Sequence, residues 1–203
     1  MRPEFHTPPW DAPLDVSAEL DEVRQGTTIK GMFMLPMVVE AQRRGIRLES
    51  ARDRYLPFAD YPLVEHGRLL VESARAFYPN LTTRRGLRKL GHAGLRAFAK
   101  STIGKVVWAA VDGVDAAIDA AAKTYAIAIP AGHLTIVERG PGLARVRLTG
   151  GVHCFLDSNH VGNFEGVLRA CHVQGAVAVR LEPPAGGELL LTWSGPSIRP
   201  TDG

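Results

Sequence analysis

The hydrophobic pattern of this chain changes period once, near residue 124, and no other feature constrains the fold as much. Before that point apolar residues recur at helical spacing; after it they alternate as strands do. Thr82 or Thr83 suits a helix N-cap, and beyond them Leu87, Leu90, Gly91, Gly94, Leu95 and Phe98 fall at i, i+3, i+4, i+7, i+8 and i+11. That is a complete packing face. Upstream, a helical stretch opens at Thr28 and stops at Gly45. Another starts at Tyr61-Pro62, carries Leu63, Leu70, Ala74 and Phe77 on one side, and closes at Pro79. A fourth covers Ile103 to Lys123, with a break at Gly113.

Past the change, residues 133–139 and 143–149 alternate around a Gly140-Pro141-Gly142 turn. A helix follows over 159–172, with Phe164, Val167, Leu168 and Cys171 on one side. A second hairpin, 176–182 and 188–193, turns at Pro183 to Gly187. The pattern predicts an α+β class: N-terminal helices packed with a C-terminal antiparallel sheet of β-hairpin–helix–β-hairpin type. Residues 1–26, with Pro3, Pro8, Pro9 and Pro13, are expected to form a flexible Pro-rich tail or a strap that closes over a partner. Residues 27–195 form one domain, helical over 27–123 and ββαββ over 124–195; 196–203 is a second tail.

At 203 residues and 45% hydrophobic, the chain folds without metal or disulfide staples. No apolar run approaches the ~20 residues of a membrane span. The N-terminus has no apolar stretch of the kind a secretory signal needs, and Cys154 and Cys171 make no disulfide framework, so a cytoplasmic location is expected.

Charge is unevenly distributed. Residues 81–123 hold eight Lys/Arg against three Asp/Glu, whereas 1–80 hold ten against twelve and 124–203 six against six. On the third helix Arg85, Arg88, Lys89, His92, Arg96 and Lys100 span about 120° opposite the apolar face, with no acidic residue among them. Either this is a solvated outer face, or it docks an anionic partner: an acidic peptide, a phosphate-bearing ligand or an acidic protein. Nucleic acid is not expected, because no aromatic residue interleaves with the strip.

A second constellation is His153, Cys154, Asp157 and His160, followed by Cys171-His172. These side chains are ligands for zinc or iron. Their spacing argues for ordinary buried thiols and surface histidines, since adjacent residues on a strand face opposite ways. One residue from each pair, with Asp157 or His160, can still converge. No nucleophile elbow or phosphate-binding glycine loop occurs, and no catalytic residue is assigned.

Several short runs, in order, carry a resemblance. They are Lys30-Gly31-Met32-Phe33, Asp60-Tyr61-Pro62-Leu63, Phe77-Tyr78-Pro79-Asn80-Leu81, Leu90-Gly91-His92-Ala93-Gly94, Gly140-Pro141-Gly142, Phe164-Glu165-Gly166-Val167-Leu168 and Leu191-Thr192-Trp193. Together they resemble an uncharacterised family of ~200-residue paralogous proteins, largely myxobacterial, over residues 27–194. The resemblance implies an α+β ligand-binding module, similar to small-molecule sensor domains and to accessory proteins of ribosomal-peptide natural-product pathways. On that footing the expected function is non-catalytic: binding a precursor peptide and presenting it to a tailoring enzyme, without a cofactor. Arg85, Arg88, Lys89, His92 and Arg96 would steer the peptide, and an edge strand, 133–139 or 188–194, would set its register. The alternatives are a metal-dependent enzyme or small-molecule sensor built on His153, Cys154, Asp157, His160 and His172, with zinc or iron, and an oligomeric signalling adaptor, of which a homodimer is the simplest form. No membrane partner is expected.

Overall fold

The structure is a computed structural model and describes residues 4–150, 154–182 and 186–195. His153, the middle of the second hairpin turn, and the 196–203 tail lie outside the described residues. The class is α+β. Helix α1 (Val16–Asp21) is capped by the Asp15 side chain, which accepts from the Ala18 N–H. Strands β1 (Thr28–Lys30) and β2 (Asp60–Pro62) pair antiparallel, flanking a 3-10 turn and helix α2 (Leu35–Arg43). At three residues each, these strands are too short to leave an alternation in the sequence. Helices α3 (Leu63–Phe77), α4 (Thr83–Lys100), α5 (Thr102–Ala109) and α6 (Gly113–Ala128) follow. Thr82 caps α4, its hydroxyl accepting from the Arg85 N–H. Gly113, with φ of 88°, separates α5 from α6 where a break is expected.

The second half is β3 (His133–Gly140), β4 (Leu143–Thr149), a π-helical turn (Leu156–His160), α7 (Val161–Ala170), β5 (Gln174–Glu182) and β6 (Gly186–Ser194). The sheet order is β3-β4-β6-β5, antiparallel throughout. Strand β6, expected at an edge, is therefore central; β3 and β5 are the edges. The edge of β5 is met by the chain's own N-terminus, where His6 and Val179 exchange both backbone hydrogen bonds at 2.9 Å.

Two cores result. One gathers Met34, Leu69, Val71, Ala74, Leu87 and Phe155 among α2, α3 and α4. The other packs Val146, Leu148, Leu189 and Leu191 of the sheet against Ile118 of α6 and Phe164, Val167 and Leu168 of α7. Helices α4 and α7 cross in close contact, because Gly91 and Gly162 sit at the crossing. A Cβ at Gly162 would stand 2.1 Å from the Arg88 carbonyl oxygen, and one at Gly91 2.3 Å from that of Asn159. Glycine on the α4 packing face thus lets the sheet half close on the helical half.

Residues 4–15 run across this assembly. Pro8 is buried. The Arg88 guanidinium lies 4.3 Å from the centre of the Trp10 ring, and Arg180 lies 4.7 Å from that of Phe5. The Thr82 hydroxyl donates to the Trp10 carbonyl at 2.7 Å, and Arg85 holds Asp11 through two 2.7 Å hydrogen bonds.

Candidate functional site

The two cores meet at one turn. Phe155 is fully buried yet has left-handed backbone angles, φ 59° and ψ 28°, which few bulky residues adopt. Its N–H donates to Glu19 Oε2 at 2.6 Å. The next five residues wind as a π-turn, in which the His160 N–H reaches the Phe155 carbonyl at 3.3 Å. The reversal at Phe155 sends its ring into the helical core and Leu156 into the sheet core. Asp157 then faces Arg84 of α4 in a buried ion pair, and Asn159 Nδ2 donates to the Leu87 carbonyl at 3.2 Å. Backbone strain and π-turns both concentrate at functional sites.

Around this turn stand His66 of α3, Tyr125 of α6, Cys154 and His160. The Tyr125 and His160 ring centres are 6.1 Å apart. Burial, and secondarily the His160 charge, pushes the His66 imidazole down to about 4, so it is neutral at physiological pH. His66 makes no hydrogen bond among the described residues. Burial pushes the Tyr125 phenol well above its ordinary value and, with help from Glu19, pushes the Cys154 thiol up to about 12. His66, Tyr125 and Cys154 are thus uncharged at neutral pH, and the group is rich in Lewis-basic atoms. His66, Tyr125 and His160 each keep part of their surface open.

The sequence picked out Cys154 and His160 but passed over His66 and Tyr125. A signal existed for both. His66 falls three residues after Leu63 and four before Leu70, on the apolar face of α3, and Tyr125 falls seven after Ile118 on α6.

The other expected ligands part company. Asp157 is taken by Arg84. His172 is exposed and holds the left-handed position that ends α7, with φ of 57° and its N–H on the Arg169 carbonyl. Cys171 is buried at the C-terminal cap of α7, its thiol pushed up to about 11. Among the described residues no three His, Cys, Asp or Glu side chains converge on a metal position.

The basic strip of α4 finds acidic partners that lie far away in sequence. Arg88 forms a two-pronged pair with Glu165 of α7 at 2.6 Å, and His92 Nε2 lies 2.8 Å from the same carboxylate. Burial pushes the Glu165 carboxyl up, but hydrogen bonds from His92 and Arg88 outweigh it and hold the group below its ordinary value. Lys89 and Arg96 remain exposed.

No curated protein matches the chain. Among solved structures the same fold occurs in H-NOX proteins. The Fe(II) unliganded H-NOX protein from K. algicida aligns with a TM-score of 0.59 at 12% identity, covering 83% of this chain and 98% of that one. The S. oneidensis H-NOX protein in the Fe(II)NO state aligns at 0.60 and 10%, covering 82% and 100%. An H-NOX structure concerned with haem distortion aligns at 0.59 and 12%, covering 86% and 100%.

This fold corrects the expectation of a cofactor-free, peptide-presenting accessory protein, for it is that of domains described with haem, Fe(II) and NO. Of the two strands expected to offer an edge, 188–194 is central and 133–139 is an edge; on the strip Arg85 and Arg88 are paired with Asp11 and Glu165, and Lys89 and Arg96 stay exposed. The family described as a protein of unknown function, DUF2378, matches residues 22–194, and the chain belongs to that family.

Proposed function

We propose that the chain is a small-molecule sensor module that receives its ligand at the junction of its two cores, with haem iron as the chemistry the junction accepts. One observation carries this reading. On a fold shared with haem domains, the junction holds a deep, neutral imidazole, His66, to which no protein group hydrogen-bonds among the described residues.

The His66 imidazole fits, since a neutral imidazole is a side chain that holds haem iron; Tyr125 and Cys154, both kept protonated, add no anionic ligand. A surface depression elsewhere does not fit. It measures about 550 Å³, lies against α1 and α3 beside Leu20, Glu49, Arg68, Glu72 and Arg75, and contains no such donor. Haem, when bound, supplies an iron with an open coordination position.

The chain's own residues do the rest. His66 keeps its lone pair unprotonated down to about pH 4. Tyr125 stays a phenol that can donate a hydrogen bond, and Cys154 stays a thiol that does not compete as thiolate. Phe155 and Leu156, both fully buried, close the junction, so a porphyrin enters only as the helical and sheet halves part. That parting acts on the strained turn, and Asp157 carries it to Arg84 and the start of α4.

Titration with haemin, followed by absorption, tests the reading. One haemin per chain with a shifted Soret band is expected, lost in His66→Ala and restored to that variant by free imidazole. Absent binding, or binding unchanged in His66→Ala, overturns it.

A further inference from the structure

Where α4 crosses α7, a pocket of about 110 Å³ is lined by Leu81, Arg85, Arg88, Lys89, His92 and Arg169. A pocket of this volume has room for one small oxyanion. Four of the six lining side chains are permanent cations, and Leu81 is the single apolar one.

Two carboxylates reach the cluster, Asp11 on Arg85 and Glu165 on Arg88 and His92. They leave two cations in excess. Lys89 and Arg169 have no carboxylate partner among the described residues, and both are exposed. Lys89 also stands one helical turn from Arg85, a like-charged pairing that disfavours the helix unless an anion lies between them. Arg88 is fixed from two sides, gripped by Glu165 and stacked on Trp10, so one guanidinium of the pocket is held in place before any ligand arrives. Two positioned guanidinia beside two unpaired cations form a cradle for a doubly charged oxyanion.

We propose that this pocket binds a phosphate group of a small molecule, held between Lys89 and Arg169 with Arg85 and Arg88 behind. The site is separate from the junction beside His66 and stands whether or not that site takes haem. Asp11 sits at its rim on Arg85 and competes with the incoming anion for that guanidinium.

Calorimetric titration of the full chain with inorganic phosphate and with AMP, at constant ionic strength set by chloride, tests the proposal. One-to-one binding is expected, weakened at least about tenfold in Lys89→Gln/Arg169→Gln. Both substitutions are on exposed side chains, and circular dichroism checks that the fold is kept. Asp11→Asn is expected to tighten binding, a gain that damage to the fold does not produce. AMP binding about tenfold or more above phosphate assigns the site to a phosphate ester, and equal affinities assign it to free phosphate. No binding of either up to about 10 mM, or equal affinity in the wild type and the double variant, overturns the proposal.

Discussion

Asp157→Ala is expected to cost about 3–5 kcal/mol of folding stability, more than truncation of most core side chains. The pair it breaks is buried on both sides, Arg84 being 8% and Asp157 5% exposed. Removing the carboxylate strands a guanidinium where water cannot reach it, because arginine does not shed its proton. Burial already pushes the Arg84 group below its ordinary value, and Glu19 only partly opposes that. The pair is not fully satisfied even now, since Arg84 Nε and Asp157 Oδ1 lack hydrogen-bond partners among the described residues. The replacement Arg84→Met/Asp157→Leu is therefore expected to recover most of the loss, as apolar substitution of buried ion pairs often does. Urea unfolding of the three proteins checks this. A single variant within about 1 kcal/mol of wild type contradicts a buried, uncompensated arginine.

The second large effect is on pH. A histidine ordinarily titrates near 6.5, and burial holds His66 down to about 4. Between those values the unfolded chain takes up a proton that the folded chain refuses. The stability carried by the neutral imidazole is thus complete above pH 6.5 and lost as the pH falls from 6.5 to 4, a change of about 3 kcal/mol. Tyr125 and Cys154 stay protonated throughout this window, and comparison with His66→Leu separates the His66 contribution from that of His160 beside it. Carboxylates held low, such as Glu40 at about 2, Glu165 and Glu188, surrender their contributions only below their ordinary value of 4.5. Urea midpoints at intervals from pH 7.5 to 4.5 should fall steadily in the wild type and much less in His66→Leu. Parallel slopes in the two proteins exclude a buried neutral His66.

What the sequence reveals follows from the range of the interaction involved. Caps, helical faces and hairpin turns act between neighbours, and Thr82, Gly113 and the Gly140–Gly142 turn stand where local chemistry places them. The partners of the basic strip do not act locally. Glu165 is 77 residues from Arg88 and Asp11 is 74 from Arg85, so a helix that looks uniformly basic is partly neutralised from elsewhere. Sheet order is hidden for the same reason, since either hairpin can present either strand to the other.

The π-turn is invisible in another way. Nothing in Phe155 or its neighbours favours a left-handed backbone, and the conformation exists because two cores draw adjacent residues in opposite directions. Cys154, Asp157 and His160 were legible as chemically capable residues. Their roles were not, because Asp157 is claimed by α4 and the junction is completed by His66 and Tyr125, whose spacing reads as ordinary core.

The central claim is that a ligand at the junction acts on the strained turn. Hydrogen exchange on the full chain, with and without haemin, tests it most directly, because exchange reports local opening segment by segment. Altered protection is expected in the α3 residues around His66, across the turn at 154–160, and at the start of α4 where Arg84 meets Asp157. Unchanged protection in those three segments, or changes confined to the surface depression beside Leu20, Glu49 and Arg75, would contradict it.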